Sequence, residues 1–111
     1  MLGRVLDSVK EIVDEVERWR SRGEQIAVAT VVATRKSAPR PVGAKFAISQ
    51  TGAMCGSVSG GCVENDVATQ ALEVIASGQP RLLSYGITDE QALGVGLPCG
   101  GEIDVWLERL D

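Results

Sequence analysis

The chain has 111 residues, with 11 Lys and Arg against 15 Asp and Glu, a net charge of −4, and no histidine. Apolar residues make up 44% and aromatics 4%, the composition of one globular domain with a modest core. Acidity argues against general nucleic-acid binding, no apolar run reaches the roughly 20 residues that span a bilayer, and the missing His excludes Ser-His and Cys-His catalytic pairs and any His metal ligand.

The first segment predicts an amphipathic helix. Leu2, Val5, Leu6, Val9, Ile12, Val13, Val16 and Trp19 recur at three- and four-residue steps, with charged residues between them. Gly23 is a suitable stop, and Arg18, Arg20 and Arg22 suit the negative end of the helix. An amphipathic pattern of this kind differs from the basic-apolar-small pattern of a signal peptide, so secretion is not expected. Three cysteines, Cys55, Cys62 and Cys99, then read as free thiols in a reducing compartment, which points to the cytoplasm.

Ile26 to Thr34 is β-branched and almost continuously apolar, as a central strand covered on both faces should be. The stretch 35–45, RKSAPRPVGAK, holds two prolines and four cations and predicts an irregular loop. Phe46 to Ser49 and Ala53 to Val58 predict a hairpin around Gln50, Thr51 and Gly52. Gly60, Gly61 and Cys62 open a helical pattern from Val63 to Ala76, which Gly78 and Pro80 end. Arg81 to Tyr85 is a short strand, Thr88 could cap a brief turn through Leu93, and 94–101 is a second glycine-rich loop. Glu102 to Leu107 alternates, with Ile103, Val105 and Leu107 on one side and Asp104 and Trp106 on the other. The expected fold is a single α/β domain: a mixed sheet containing a β-hairpin, flanked by the N-terminal helix and a second helix after the Gly-Gly-Cys loop.

Three loops are chemically unusual. No acidic residue lies between Glu24 and Glu64, so Arg35, Lys36, Arg40 and Lys45 make the first a candidate anion-binding loop. In the second, backbone N–H groups at Gly60 and Gly61 are expected to point outwards at a helix start, where positive potential favours an anion and the Cys62 thiolate. In the third, Cys99 is flanked by Pro98, Gly100 and Gly101. Cys55 lies in a hairpin strand and reads as a small core residue.

The segments TRKSAPRPVGAKFAIS, GSVSGGCVEND and GLPCGGEIDVWLE, in this order and spacing, resemble the three blocks of the XdhC/CoxI family. The resemblance runs from about Ile26 to Leu110, and the preceding helix also fits. It implies an accessory protein that binds molybdenum cofactor, assists its sulfuration and delivers it to the apo form of a molybdenum hydroxylase such as xanthine or carbon monoxide dehydrogenase. It implies a carrier rather than an enzyme. The cofactor-binding residues it implies are Arg40, Gly43, Ser59, Gly60, Gly61, Cys62, Glu64, Cys99, Gly100 and Gly101, with Cys62 and Cys99 towards the metal because soft thiolates bind transition metals. The block KSAPRP departs from the Gly-Ser start of many relatives, while Pro39, Arg40 and Gly43 match. Longer members carry a C-terminal Rossmann-like domain, so residues 1–111 are expected to be the XdhC/CoxI-like domain alone.

Two rivals remain open. One is a thiol-dependent sulfur-transfer or redox protein using Cys62 and Cys99. The other is a scaffold half that pairs with a separate Rossmann-like protein. Cysteine desulfurase is a further candidate partner, and nucleic acid and membrane are not expected. A homodimer is expected, with Trp19 and Trp106 as candidate contacts, since aromatics are enriched at interfaces. Cys62, Cys99, the glycines and Arg40 are expected to line one pocket.

Overall fold

The computed structural model describes residues 2–35, 40–61, 63–86 and 101–110, with side chains at Lys10 and from Ile12 onward. The elements follow in the order α1 (Leu2–Ser21), β1 (Ile26–Arg35), β2 (Lys45–Ser49), β3 (Met54–Gly56), α2 (Glu64–Ser77), β4 (Arg81–Tyr85) and β5 (Glu102–Leu110). The five strands form one sheet in the order β3-β2-β1-β5-β4. The α/β architecture, the hairpin and the two flanking helices are those expected from the residues. The sheet expected to be mixed has four ladders, and each of them is antiparallel. The reason lies in connectivity: α2 carries the chain from β3 at one edge to β4 at the other, so it joins no neighbouring pair.

β1 is the centre of the sheet, as its unbroken apolar run requires. Ala27, Ala29 and Val31 face a core with Phe46, Ile48, Ile103, Val105 and Leu107, closed by Val67, Ala71, Val74 and Ile75 of α2. Ile26 and Ala47 face the opposite side, against Ile12, Val16 and Trp19 of α1, with Val28 packed beside them. The 4- and 3-residue steps between those three helix positions place them on one stripe. A register shift between Val31 and Ala33 marks a bulge in the β1–β5 ladder.

The two helices cover different parts of the sheet. α1 packs on β1, β2 and β3, whereas α2 packs on β1, β2 and β5 of the other face. Among the described residues neither helix packs on the β4–β5 part of the α1 face, and Leu82 and Trp106, a cross-strand pair there, are 58% and 36% exposed. Trp19, by contrast, is buried.

Local stops behave as their chemistry dictates. Gly78 takes φ +75° and donates its N–H to Val74 O at 2.7 Å, closing α2. In the hairpin turn, buried Ser49 accepts the Ala53 N–H on its Oγ at 3.2 Å. β5 runs on to Leu110, past the expected end at Leu107, and β3 is shorter than the expected 53–58 strand because the chain turns at Gly56. The turn expected at 88–93 and most of the 94–101 loop lie outside the described residues.

Candidate functional site

The strand registers bring the described flanks of the three unusual loops to one end of the sheet. β1 ends there at Arg35, which pairs with Glu102 at the start of β5. β2 begins there at Lys45, whose O accepts the Ser57 N–H at 2.9 Å just after β3. β4 ends there, with Tyr85 opposite Ile103. The start of α2 is tied to the same end, because the Tyr85 hydroxyl donates to Asp66 Oδ2 at 2.6 Å. Desolvation and the Asp66 charge push the Tyr85 phenol well above the usual tyrosine range.

The loop between β3 and α2 is wound around a carboxylate. Glu64 Oε2 accepts the Ser57 hydroxyl at 2.8 Å, the Val58 N–H at 2.8 Å and the Ser59 N–H at 2.9 Å. Its Oε1 accepts the Ser59 hydroxyl at 2.5 Å and the Gly61 N–H at 2.9 Å. The two hydroxyls work twice: Ser57 Oγ accepts the Gly60 N–H at 2.7 Å, and Ser59 Oγ accepts the Val63 N–H at 2.9 Å. Burial alone would raise the Glu64 carboxyl, and the donors from Ser59, Ser57 and Val58 outweigh it, holding the group at about 2. As an anion in the first turn of α2 it also complements the helix dipole.

This geometry corrects the expectation for the glycine pair. The N–H groups of Gly60 and Gly61 are turned inwards onto Ser57 and Glu64, not outwards to a ligand. Both glycines have positive φ, +74° and +113°, and a Cβ at Gly61 would meet nothing within 4 Å. Helix α2 begins at Glu64 rather than Val63, which takes the capping position with φ −122°. Glycine is also required at Gly56, where φ is +88° and a Cβ would lie 2.4 Å from Lys45 O and 2.8 Å from Ile12 Cδ1.

The basic loop is less basic than its sequence. Arg35 belongs to β1 and bridges Glu102 and Asp104, each at 3.1 Å. Hydrogen bonding by Asp104 and Glu102 raises its guanidinium further, and Arg35 holds Asp104 below the usual carboxylate range. Lys45 belongs to β2 and donates to Thr30 Oγ1 at 2.9 Å. Arg40 differs: its Nε is buried and has no hydrogen-bond partner among the described residues. A buried donor left unpaired costs about 1–3 kcal/mol, so an acceptor from outside the chain would be stabilising there. Gly43, φ +96°, completes the turn by donating to Val31 O at 2.8 Å.

Of the other candidate residues, Gly101 is buried at the entry to β5, and Ser59 is buried within the wound loop. Cys62, Cys99, Gly100 and Lys36 lie outside the described residues. No cluster of three or more Cys, Asp or Glu able to hold a metal is present among the described residues. The Asp66–Tyr85 bond was not foreseen from the sequence, since 19 positions separate the two residues.

Comparison with known proteins bears on the family and the fold. The XdhC and CoxI family model matches residues 19–86. The chain is 41% identical over 88 residues to the molybdenum cofactor insertion chaperone PaoD of Escherichia coli K12, covering 79% of this chain and 27% of that one. It is 35% identical over 89 residues to a protein of Bacillus subtilis 168 described as a probable subunit of xanthine dehydrogenase, covering 78% and 27%. The fold matches the crystal structure of a xanthine dehydrogenase from Bacillus halodurans with a TM-score of 0.74 and 30% identity, over 89% of this chain and 30% of that one. The chain thus spans under a third of the length of these relatives. With more than half of its residues matched by the family model, the chain belongs to the XdhC and CoxI family.

Proposed function

We propose that this domain binds molybdenum cofactor as cargo and assists its insertion into an apo molybdenum hydroxylase of the xanthine or carbon monoxide dehydrogenase type, acting as a carrier and not as a catalyst. The observation that carries this reading is that the described flanks of the three motif loops meet at one sheet end, and that Arg40, in the first of them, has a buried Nε with no hydrogen-bond partner among the described residues. The cargo is an anionic pterin dithiolene with a phosphate and an oxygen-rich metal centre. Its phosphate is a suitable acceptor for Arg40. Gly43, Ser59, Gly60, Gly61, Gly100 and Gly101 keep the surroundings low enough for close approach, and Cys62 and Cys99 offer soft sulfur to the metal end. The name of the relative PaoD supports the cargo, and the name of the Bacillus subtilis relative supports the class of target.

Sulfuration of the cargo while it is held would take its sulfur from a cysteine desulfurase. The domain works in the cytoplasm, a compartment that keeps thiols reduced. No described helix is long and apolar enough to cross a membrane. Residues 1–111 act as one XdhC/CoxI-like unit, as a homodimer whose contact includes Trp106.

Anaerobic purification followed by molybdenum and pterin analysis tests the reading. Cargo at a stoichiometric level, reduced most by Cys62→Ser, less by Cys99→Ser and least by Cys55→Ser, is the expected result. Arg40→Ala should lower retention about tenfold, the effect of losing one charge-assisted hydrogen bond of about 1.4 kcal/mol. Cargo-free protein from cells that make the cofactor, or retention lost in Cys55→Ser alone, would overturn it.

A further inference from the structure

In the loop that carries the Gly-Gly-Cys motif, one side chain of the motif takes up the donors of the rest. Three backbone N–H groups and two hydroxyls converge on Glu64. An ionised carboxylate offers about four lone-pair sites, so five donors leave no acceptor for a ligand. A Glu in this condition cannot also coordinate a metal or receive a hydrogen bond from cargo without unwinding the loop. Its negative charge would also repel a phosphate.

We propose that Glu64 is a positioning residue rather than a cargo contact: its carboxylate is the internal anion around which the 57–61 loop is wound, and it sets the backbone on both sides of Cys62. The N-terminal side is held through the Gly61 N–H on Oε1, and the C-terminal side through the Val63 N–H on Ser59 Oγ, whose proton goes to the same Oε1. Glu64 itself opens α2, so the loop and the helix share one anchor. Open space around a Cβ at Gly61 agrees with this, because glycine is then required there by its φ of +113° and not by crowding. The arrangement is a concavity of backbone N–H groups of the kind that binds anions, filled by the chain's own anion. The inference rests on the carrier reading for its consequence, retention of cargo, but not for its geometry.

Glu64→Gln, Glu64→Asp and Ser59→Ala test it, with two readouts on the whole chain. The first is amide hydrogen exchange at Val58, Ser59, Gly61 and Val63 in cargo-free protein. The second is molybdenum and pterin retained after anaerobic purification. Glu64→Gln should speed exchange at those amides about tenfold or more and lower retention in step, while the amides of β1 and β5 stay protected. Glu64→Asp, which keeps the charge on a shorter arm, should recover part of both. Ser59→Ala leaves the carboxylate in place and should show the same pair of effects at smaller size, and it stands in if Glu64→Gln does not fold. Lower retention with unchanged exchange would make Glu64 a cargo contact and overturn the proposal. Faster exchange with full retention would overturn it too. A wild-type chain without cargo would overturn the carrier reading, and the exchange rates would still decide whether Glu64 winds the loop.

Discussion

At Glu64 the ionised carboxylate accepts five hydrogen bonds from the 57–61 loop, so its protonation state bears on stability. Its carboxyl is held at about 2 in the folded chain against an ordinary 4.5. A group whose value is lowered by folding contributes stability above its unfolded value, and that contribution is lost as pH falls through the folded one. The expected loss lies between pH 4.5 and 2, and after allowance for the side chain's partial exposure it amounts to about 1–2 kcal/mol. Thermal unfolding followed across that window should show a fall in the wild type that is smaller in Glu64→Gln. Tyr85 has the opposite sign. Its phenol is raised by burial and by Asp66, so stability is full below the ordinary value of 10 and is lost as pH rises above it. The chain has one tyrosine, so absorbance at 295 nm reads Tyr85 alone. Tyrosinate should appear only together with alkaline unfolding, whereas titration near pH 10 in folded protein would contradict the Asp66 contact. Gly56→Ala forces a Cβ to 2.4 Å from a carbonyl oxygen and should cost about 3 kcal/mol in chemical denaturation. Gly61→Ala meets open space and carries only the strain of its φ, about 1 kcal/mol.

Between elements, the Asp66–Tyr85 hydrogen bond joins the first turn of α2 to the last residue of β4. Asp66 also accepts from Gln70 at 3.0 Å, and Gln70 accepts from Arg81 at 3.2 Å, so the network reaches the far end of the strand. Tyr85→Phe should therefore cost more than a surface hydrogen bond, about 1–2 kcal/mol, and speed amide exchange at the start of α2 more than at Gly78. On the other face, Trp19 is 2% exposed and locks α1 against β1 and β2. Its replacement by Ala should destabilise the fold by about 3–5 kcal/mol in urea.

For the molecule as a whole, the two clusters share β1 and β2, since alternate residues of those strands face α1 and α2. Two helices bound through the same strands should unfold together. Trp106→Phe leaves Trp19 as the sole tryptophan reporter, and its fluorescence transition should coincide with the loss of far-UV circular dichroism. An earlier fluorescence transition would mean that α1 leaves first. The exposed pair Leu82 and Trp106 bears on assembly: a mass of two chains by light scattering, falling to one in Trp106→Lys, is the expected result for the proposed homodimer.

Periodicity alone determined most of the elements. Ile12, Val16 and Trp19 declare a helix face, Ile103, Val105 and Leu107 a strand face, and both faces are buried. Gly78 and Gly52 declare their stops because positive φ is a local property. Three motif loops were legible as unusual because packing does not call for cations, paired glycines or flanked cysteines. Only the tertiary structure decided what those residues do. Arg35 reads as a free cation in sequence and is paired across the sheet, 67 and 69 residues away. The Gly60 and Gly61 N–H groups read as ligand donors, and a Glu three to four residues on, whose reach depends on the loop's positive-φ path, satisfies the second of them and organises the first. Strand direction followed the same rule: an apolar run announces burial on both faces, but antiparallel pairing depends on where the α2 crossover returns the chain, and no local residue pattern encodes that.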